Sequence, residues 1–165
     1  MFSNELAEKL INLPKSIQTG NSNIDFTQER NRFILKNDEN PSYLFLFEFT
    51  INKKVSFRIS LHNQEDNSKE GLIRIDYKGG HRNPEELNKH VPEFVKPYIG
   101  YQFTEEAHVH IYVEGFKNLA WAIPLTKYDF SVKDVNSTQD LENAVTAFMK
   151  QINIITPVTY QTILL

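Results

Sequence analysis

His108-Val109-His110-Ile111-Tyr112-Val113-Glu114-Gly115 alternates apolar and polar residues, and two of its polar residues are histidines. In a β-strand neighbouring side chains point to opposite faces, so His108, His110 and Tyr112 are expected on one face and Val109, Ile111 and Val113 on the other. The apolar set needs only a core to bury against. The imidazoles titrate near neutral pH, can pass protons and can ligate metals, so any chemistry of the chain is expected on their side.

Neighbouring segments add to that face. The segment 55–62 alternates Val55, Phe57, Ile59 and Leu61 with Ser56, Arg58, Ser60 and His62, and the segment 71–77 alternates Ile73, Ile75 and Tyr77 with Leu72, Arg74 and Asp76. If all three apolar faces bury against helices, the opposite face collects Arg58, Arg74, Asp76, His108, His110 and Tyr112. An ordinary solvated sheet face carries Thr, Lys, Glu and Ser, so this set points to recognition of an anion or nucleotide. Three other readings stand beside it. The residues can form a cross-strand polar network with neutral histidines. Histidines two apart on a strand can share a metal, with His81, Asp76 or Glu114 as third ligand. The pair can also work as a metal-free acid and base, with Arg74 or Lys78 stabilising the charge that develops when the 2'-hydroxyl of RNA attacks its phosphate.

Gly79-Gly80-His81-Arg82-Asn83-Pro84 is a second place where backbone could approach a ligand. Asn83 followed by Pro84 predicts a short capped helix through His90, whose N-terminus would favour an anion; a plain strand-to-helix turn is the simpler account. His81 and Arg82 join the candidate site on this ground. No Walker loop, dinucleotide fingerprint, nucleophile elbow or His-Glu-x-x-His helix occurs, so no cofactor is expected.

Composition sets the frame for these residues. The 165 residues are 40% hydrophobic, contain no cysteine, and carry 18 Lys and Arg against 21 Asp and Glu, a net charge of -3. This size suits one domain with its own core. The absence of cysteine excludes disulfides and thiolate metal sites. The acidic balance disfavours a protein held to duplex DNA mainly by phosphate contacts, while leaving room for a local basic pocket or for docking on a basic protein. The longest apolar runs are far shorter than the roughly 20 residues of a membrane span, and the first residues lack a secretory pattern, so a cytoplasmic location away from membranes is expected.

The positioning elements follow from periodicity. Ser3 caps an amphipathic helix ended by Pro14, and 15–30 is polar loop with a short strand. Strands are predicted at 32–36, 43–51, 55–62, 71–77, 107–113 and 119–125, the last at an edge because Pro124 cannot donate to a ladder. Residues 85–106 are an insertion or lid. Ser137 caps a helix to about 151, and 153–165 is either a short helix or a β-branched strand. The expected fold is α+β: one domain, 1–165, with a mainly antiparallel sheet of about five to seven strands and the N-terminal and C-terminal helices on one face.

The succession Leu72-Ile-Arg-Ile-Asp76, Gly79-Gly-His-Arg-Asn-Pro84, His108-Val-His-Ile-Tyr-Val-Glu-Gly115 and Trp121-Ala-Ile-Pro-Leu125 resembles a family of uncharacterised small proteins spread through bacteria and their prophages, over about 43–155. In order and spacing it is also similar, more distantly, to small toxins of toxin–antitoxin operons, which pair an Arg-x-Asp strand with a histidine turn and a later histidine cluster. The chain differs from these patterns at Gly80 and Ala107, where prolines are common, and in a longer 85–106. The resemblance implies a mobile-element protein that engages RNA or a nucleotide through His81, His108, His110, Arg58, Arg74, Asp76, Arg82 and Tyr112. Ribonuclease activity is one outcome of that arrangement. The alternative is a non-enzymatic phage-encoded inhibitor, such as an anti-CRISPR, that docks on a host defence protein; an immunity-type partner is a third.

Overall fold

The alternation of β-branched and aromatic residues with polar ones builds a sheet with one oily face, and the two amphipathic helices cover it. A computed structural model describes residues 1–161 apart from 19, 21 and 53. Helix α1 is Asn4–Asn12, capped by the Ser3 hydroxyl, which accepts from the Leu6 N–H. The strands that follow are β1 (Ser16–Ile17), β2 (Asn23–Asp25), β3 (Arg30–Lys36), β4 (Leu44–Asn52), β5 (Arg58–Glu65) and β6 (Glu70–Tyr77). Next come β7 (His81–Arg82), β8 (Gln102–Phe103), β9 (His108–Ile111) and β10 (Trp121–Pro124). Helix α2 is Thr138–Gln151, capped by Ser137, and β11 is Thr159–Gln161.

Seven strands form one antiparallel sheet in the order β1-β3-β4-β5-β6-β9-β10, so the chain is a single α+β domain as its patterning predicts. Phe45, Phe47 and Phe49 of β4, Leu61 of β5, Ile75 of β6 and Val109 of β9 share the buried face with Leu10 of α1 and Phe148 of α2. Phe148 meets Phe47 at 5.6 Å between ring centroids. Each such aromatic or aliphatic side chain, fully removed from water, stabilises the fold by about 1.5–3 kcal/mol before entropy is counted. β11 pairs with β2 in a parallel ladder, so the tail contains a strand only at Thr159–Gln161; residues 162–165 of that predicted segment lie outside the described residues.

Three local expectations are corrected. No helix forms over 83–90: β7 and β8 pair instead, and the segment between them holds only a single 3-10 turn, Lys96–Tyr98. The reason is Asn83, whose amide does not cap a helix. It accepts from the Ala122 N–H at 2.8 Å and donates to the Ala122 and Tyr98 carbonyls at 2.8 Å each, satisfying the free edge of β10. Tyr112 leaves the histidine face because β9 ends at Ile111; its hydroxyl donates to the Phe2 carbonyl and accepts from the Phe2 N–H, beside α1. Leu72 leaves the polar face because the β5–β6 register shifts there: Asn63 pairs with Ile73 and Gln64 with Gly71, and Leu72 and Ile73 line one cavity against α1.

Candidate functional site

Ladder register assembles the site. β6 and β9 pair Asp76 with His108 and Arg74 with His110, while β5 places Ser60 beside Asp76 and His62 beside Arg74. Alternation puts all six on the face opposite the core. β10 completes the row with Pro124 beside His108 and Ala122 beside His110.

The two strand histidines are fixed by backbone. His108 Nδ1–H donates to the Glu106 carbonyl at 2.7 Å, and His110 Nδ1–H donates to the Leu119 carbonyl at 2.8 Å. Because a carbonyl only accepts, each bond places a proton on Nδ1 and directs Nε2 toward Asp76. Asp76 Oδ2 lies 3.0 Å from His110 Nε2 and 3.6 Å from His108 Nε2. Arg74 bridges the pair, its Nε donating to Asp76 Oδ2 at 2.9 Å and its Nη2 standing 2.8 Å from His110 Nε2. His108 Nε2 is buried with no hydrogen-bond partner among the described residues.

The β7–β8 hairpin closes over the cluster. The Phe103 ring stacks on His108 at 4.5 Å between centroids, and His81 meets His110 edge-on at 4.4 Å. His81 Nε2–H donates to the Ala120 carbonyl at 2.9 Å, tying the hairpin to β10. Gly79 packs closely beneath it: a Cβ there would stand 3.3 Å from Asp76 Cβ, a tight contact, and 3.7 Å from His108 Cε1, an ordinary one. As a result His108 and His110 are both 0% exposed, and the cluster meets the outside through Asp76 and Arg74.

Burial and charge set the protonation states. Burial alone would raise the Asp76 pKa, but the adjoining His110 ring and the Arg74 guanidinium hold it far below the usual carboxylate range. Burial, reinforced by the His110 charge, lowers His81 to about 4, and burial with the Arg74 charge lowers His62 to about 4. Burial also lowers His108, against the bond to Glu106. At neutral pH the Asp76 carboxylate is therefore ionised, and burial favours the neutral form of His62, His81 and His108.

Beside Asp76 the polar face opens into a groove of about 720 Å³. Its lining includes Arg30, Lys54, Arg58, Thr50, Ser60 and Asp76. Arg58 is held by one bond from Nε to the Lys78 carbonyl at 2.8 Å, so its terminal amino groups are free of partners among the described residues.

The structure thus brings together His108, His110, His81, Asp76 and Arg74, with Arg58 lining the groove into which Asp76 opens. It leaves two of the sequence candidates elsewhere. Arg82 is exposed on the hairpin in an ion pair with Glu85, and Tyr112 is on the α1 side. Of the named third ligands Asp76 alone joins the two histidines, since Glu114 faces His90 and the Nε2 of His81 is spent on Ala120. His62 and Ser60, whose alternation with Arg58 puts them on the polar face, are missing from the sequence candidates, and Arg30 at the start of β3 falls at the end of the predicted polar loop. Phe103 carries no signal in sequence, because its contact with His108 depends on the hairpin.

A family model, described as a family of unknown function, DUF6978, matches residues 2–154. The chain belongs to DUF6978. No curated protein and no solved structure matches it. Membership spans the whole seven-stranded sheet and both helices, so the Asp76–His108–His110 cluster lies inside the region the family model describes. No described helix of this DUF6978 chain is long and apolar enough to cross a membrane.

Proposed function

We propose that the chain binds a nucleotide or an RNA phosphodiester in the groove beside Asp76. The supporting observation is the composition of that groove: Arg30, Lys54 and Arg58 line it together with the carboxylates Glu29 and Asp76, a surplus of one positive charge, with Thr50, Asn52 and Ser60 as neutral donors and Asp76 leading to the His cluster. Guanidinium groups favour phosphate by bidentate, charge-assisted bonds, and the volume lies within the range of small-ligand sites. The net charge of -3 makes this local basic lining more telling. A ligand in the groove meets Asp76 first, because His108 and His110 are covered. Cleavage of bound RNA then depends on Asp76 and the histidines behind it, as in the toxin-like reading. A mobile-element, cytoplasmic protein of this kind fits the motif resemblance.

The test is binding of labelled short RNA and of nucleoside mono- and diphosphates at low salt. Arg58→Ala is expected to weaken binding at least tenfold and to flatten its salt dependence. Parent protein that binds none of these, or an Arg58→Ala variant that binds equally, overturns the reading. RNA left equally intact by parent and Asp76→Asn removes the ribonuclease.

The docking alternative has one specific support. Leu87, Phe94, Ile99 and Tyr101, four of the six exposed large hydrophobic residues among the described residues, all lie on the segment 85–106. Inhibition of a defence protein that survives Arg58→Ala and is lost with Phe94→Ser would favour that reading.

A further inference from the structure

The three converging groups have a use that anion binding does not require. We infer that Asp76, His108 and His110 form a binding site for one divalent transition-metal ion of the zinc class. One carboxylate oxygen and one imidazole nitrogen from each histidine lie within 4.8 Å of one another. That spacing is what three ligands need to contact a single ion at about 2.0–2.2 Å.

Three further observations point the same way. First, both rings give their Nδ1 protons to backbone carbonyls, Glu106 and Leu119. This is the arrangement that fixes the tautomer of metal-ligating histidines and makes Nε2 the donor atom. Second, His108 Nε2 is fully buried, faces the Asp76 carboxylate, and has no partner among the described residues. A buried nitrogen lone pair aimed at a carboxylate is costly unless a cation stands between them. Third, a cation already stands at the other side of the cluster: the Arg74 guanidinium bonds Asp76 and touches His110 Nε2. Arg74 is 31% exposed, so it can withdraw toward solvent when a metal takes its place.

The ligand set selects the ion. Two imidazoles and a carboxylate suit zinc, cobalt, manganese or ferrous iron, while the lack of cysteine disfavours soft ions such as copper(I). Three protein ligands leave a position open for water or an anionic ligand. That position lies on the Asp76 side, since Phe103 and His81 cover the rings.

This inference goes beyond the groove reading and is independent of it, and its test contains no nucleotide. Untagged protein is stripped with chelator and titrated by calorimetry with Zn²⁺, and in parallel with Co²⁺ followed by visible absorption. The expected result is one ion per chain and the absorption of a low-symmetry nitrogen and oxygen site. His108→Ala and Asp76→Asn should each weaken binding at least a hundredfold. Asp76→Asn is nearly isosteric, so its circular dichroism and melting curve report whether the fold persists; should His108→Ala fail to fold, the Asp76→Asn titration and the cobalt spectrum of the parent still decide. Binding of no ion, or binding unchanged in Asp76→Asn, overturns the site and leaves an ion-pair network bridged by Arg74. Nucleotide binding that persists in stripped protein leaves the groove reading standing if the metal fails.

Discussion

Lys15 and His108 are both polar, both fully buried, and treated in opposite ways. Lys15 has three ammonium protons and three acceptors: Nζ donates to the carbonyls of Ile11, Leu13 and Ile152 at 2.8 Å each. It thereby closes the C-terminal ends of α1 and α2, where the helix dipoles favour a positive charge, and it lies 4.7 Å from the centre of the Phe45 ring. Burial nevertheless lowers its pKa to about 7. His108 is satisfied at Nδ1 only and keeps an idle Nε2 facing a carboxylate. The first arrangement is architecture, because every group is used up in holding two helices together. The second is a site, because the fold supplies groups that it does not itself consume.

That difference can be broken from the Lys15 side with the largest effect. Lys15→Ala leaves the buried Ile152 carbonyl and the half-buried Ile11 and Leu13 carbonyls without their donor, at about 1–3 kcal/mol for a buried one, and is expected to lower stability by about 3 kcal/mol in urea unfolding. Asn83→Ala is expected next, at about 2 kcal/mol, because it strips both backbone groups of Ala122 and the Tyr98 carbonyl of their partner. His108→Phe removes the idle nitrogen and keeps the ring that Phe103 stacks on. It forfeits only the bond to Glu106, so a loss of about 1 kcal/mol or less is expected in chelator-treated protein. A loss as large as that of Lys15→Ala would put His108 in the architectural class.

The pH dependence of the metal-free protein sharpens the comparison through charge. His62 and His81 have folded pKa values near 4, below the ordinary 6.5. Between those limits the unfolded chain binds more protons than the folded one, so stability rises with pH there and is fully present above about 6.5. Thermal melts should therefore shift downward as pH falls from about 6.5 to 4, and His62→Gln should shallow that fall. An unchanged slope in the variant would remove His62 from the cluster's electrostatics.

What the sequence shows of this site is the part that depends on strand alternation. His108 and His110, Arg74 and Asp76, and Arg58 stand on one face because β5, β6 and β9 keep a period of two through those positions. Where the period fails, so does the reading: Tyr112 is one residue past the end of β9, and Leu72 sits at a register shift. The segment 83–90 misleads for another reason. Asn followed by Pro is a good helix start in isolation, but the unpaired edge of β10 offers the Asn83 amide two buried hydrogen bonds at Ala122, and the Tyr98 carbonyl adds a third. Such a competition is decided by residues 39 positions away and leaves no local mark. The idle nitrogen of His108 is equally invisible in sequence, since it depends on the Glu106 carbonyl taking the other ring nitrogen and on Phe103 sealing the ring from water.

The claim that the fold holds the two Nε2 atoms beside Asp76, that of His108 idle and that of His110 shared with the Arg74 guanidinium, is tested most directly by the ¹⁵N shifts of the histidine ring nitrogens, measured in stripped protein and again after addition of one equivalent of Zn²⁺. The account predicts that His108 and His110 both carry their proton on Nδ1, with unprotonated Nε2 atoms whose signals move on metal addition while the Nδ1 signals stay protonated. A His110 protonated at both nitrogens, or Nε2 signals that do not respond to the ion, would contradict it.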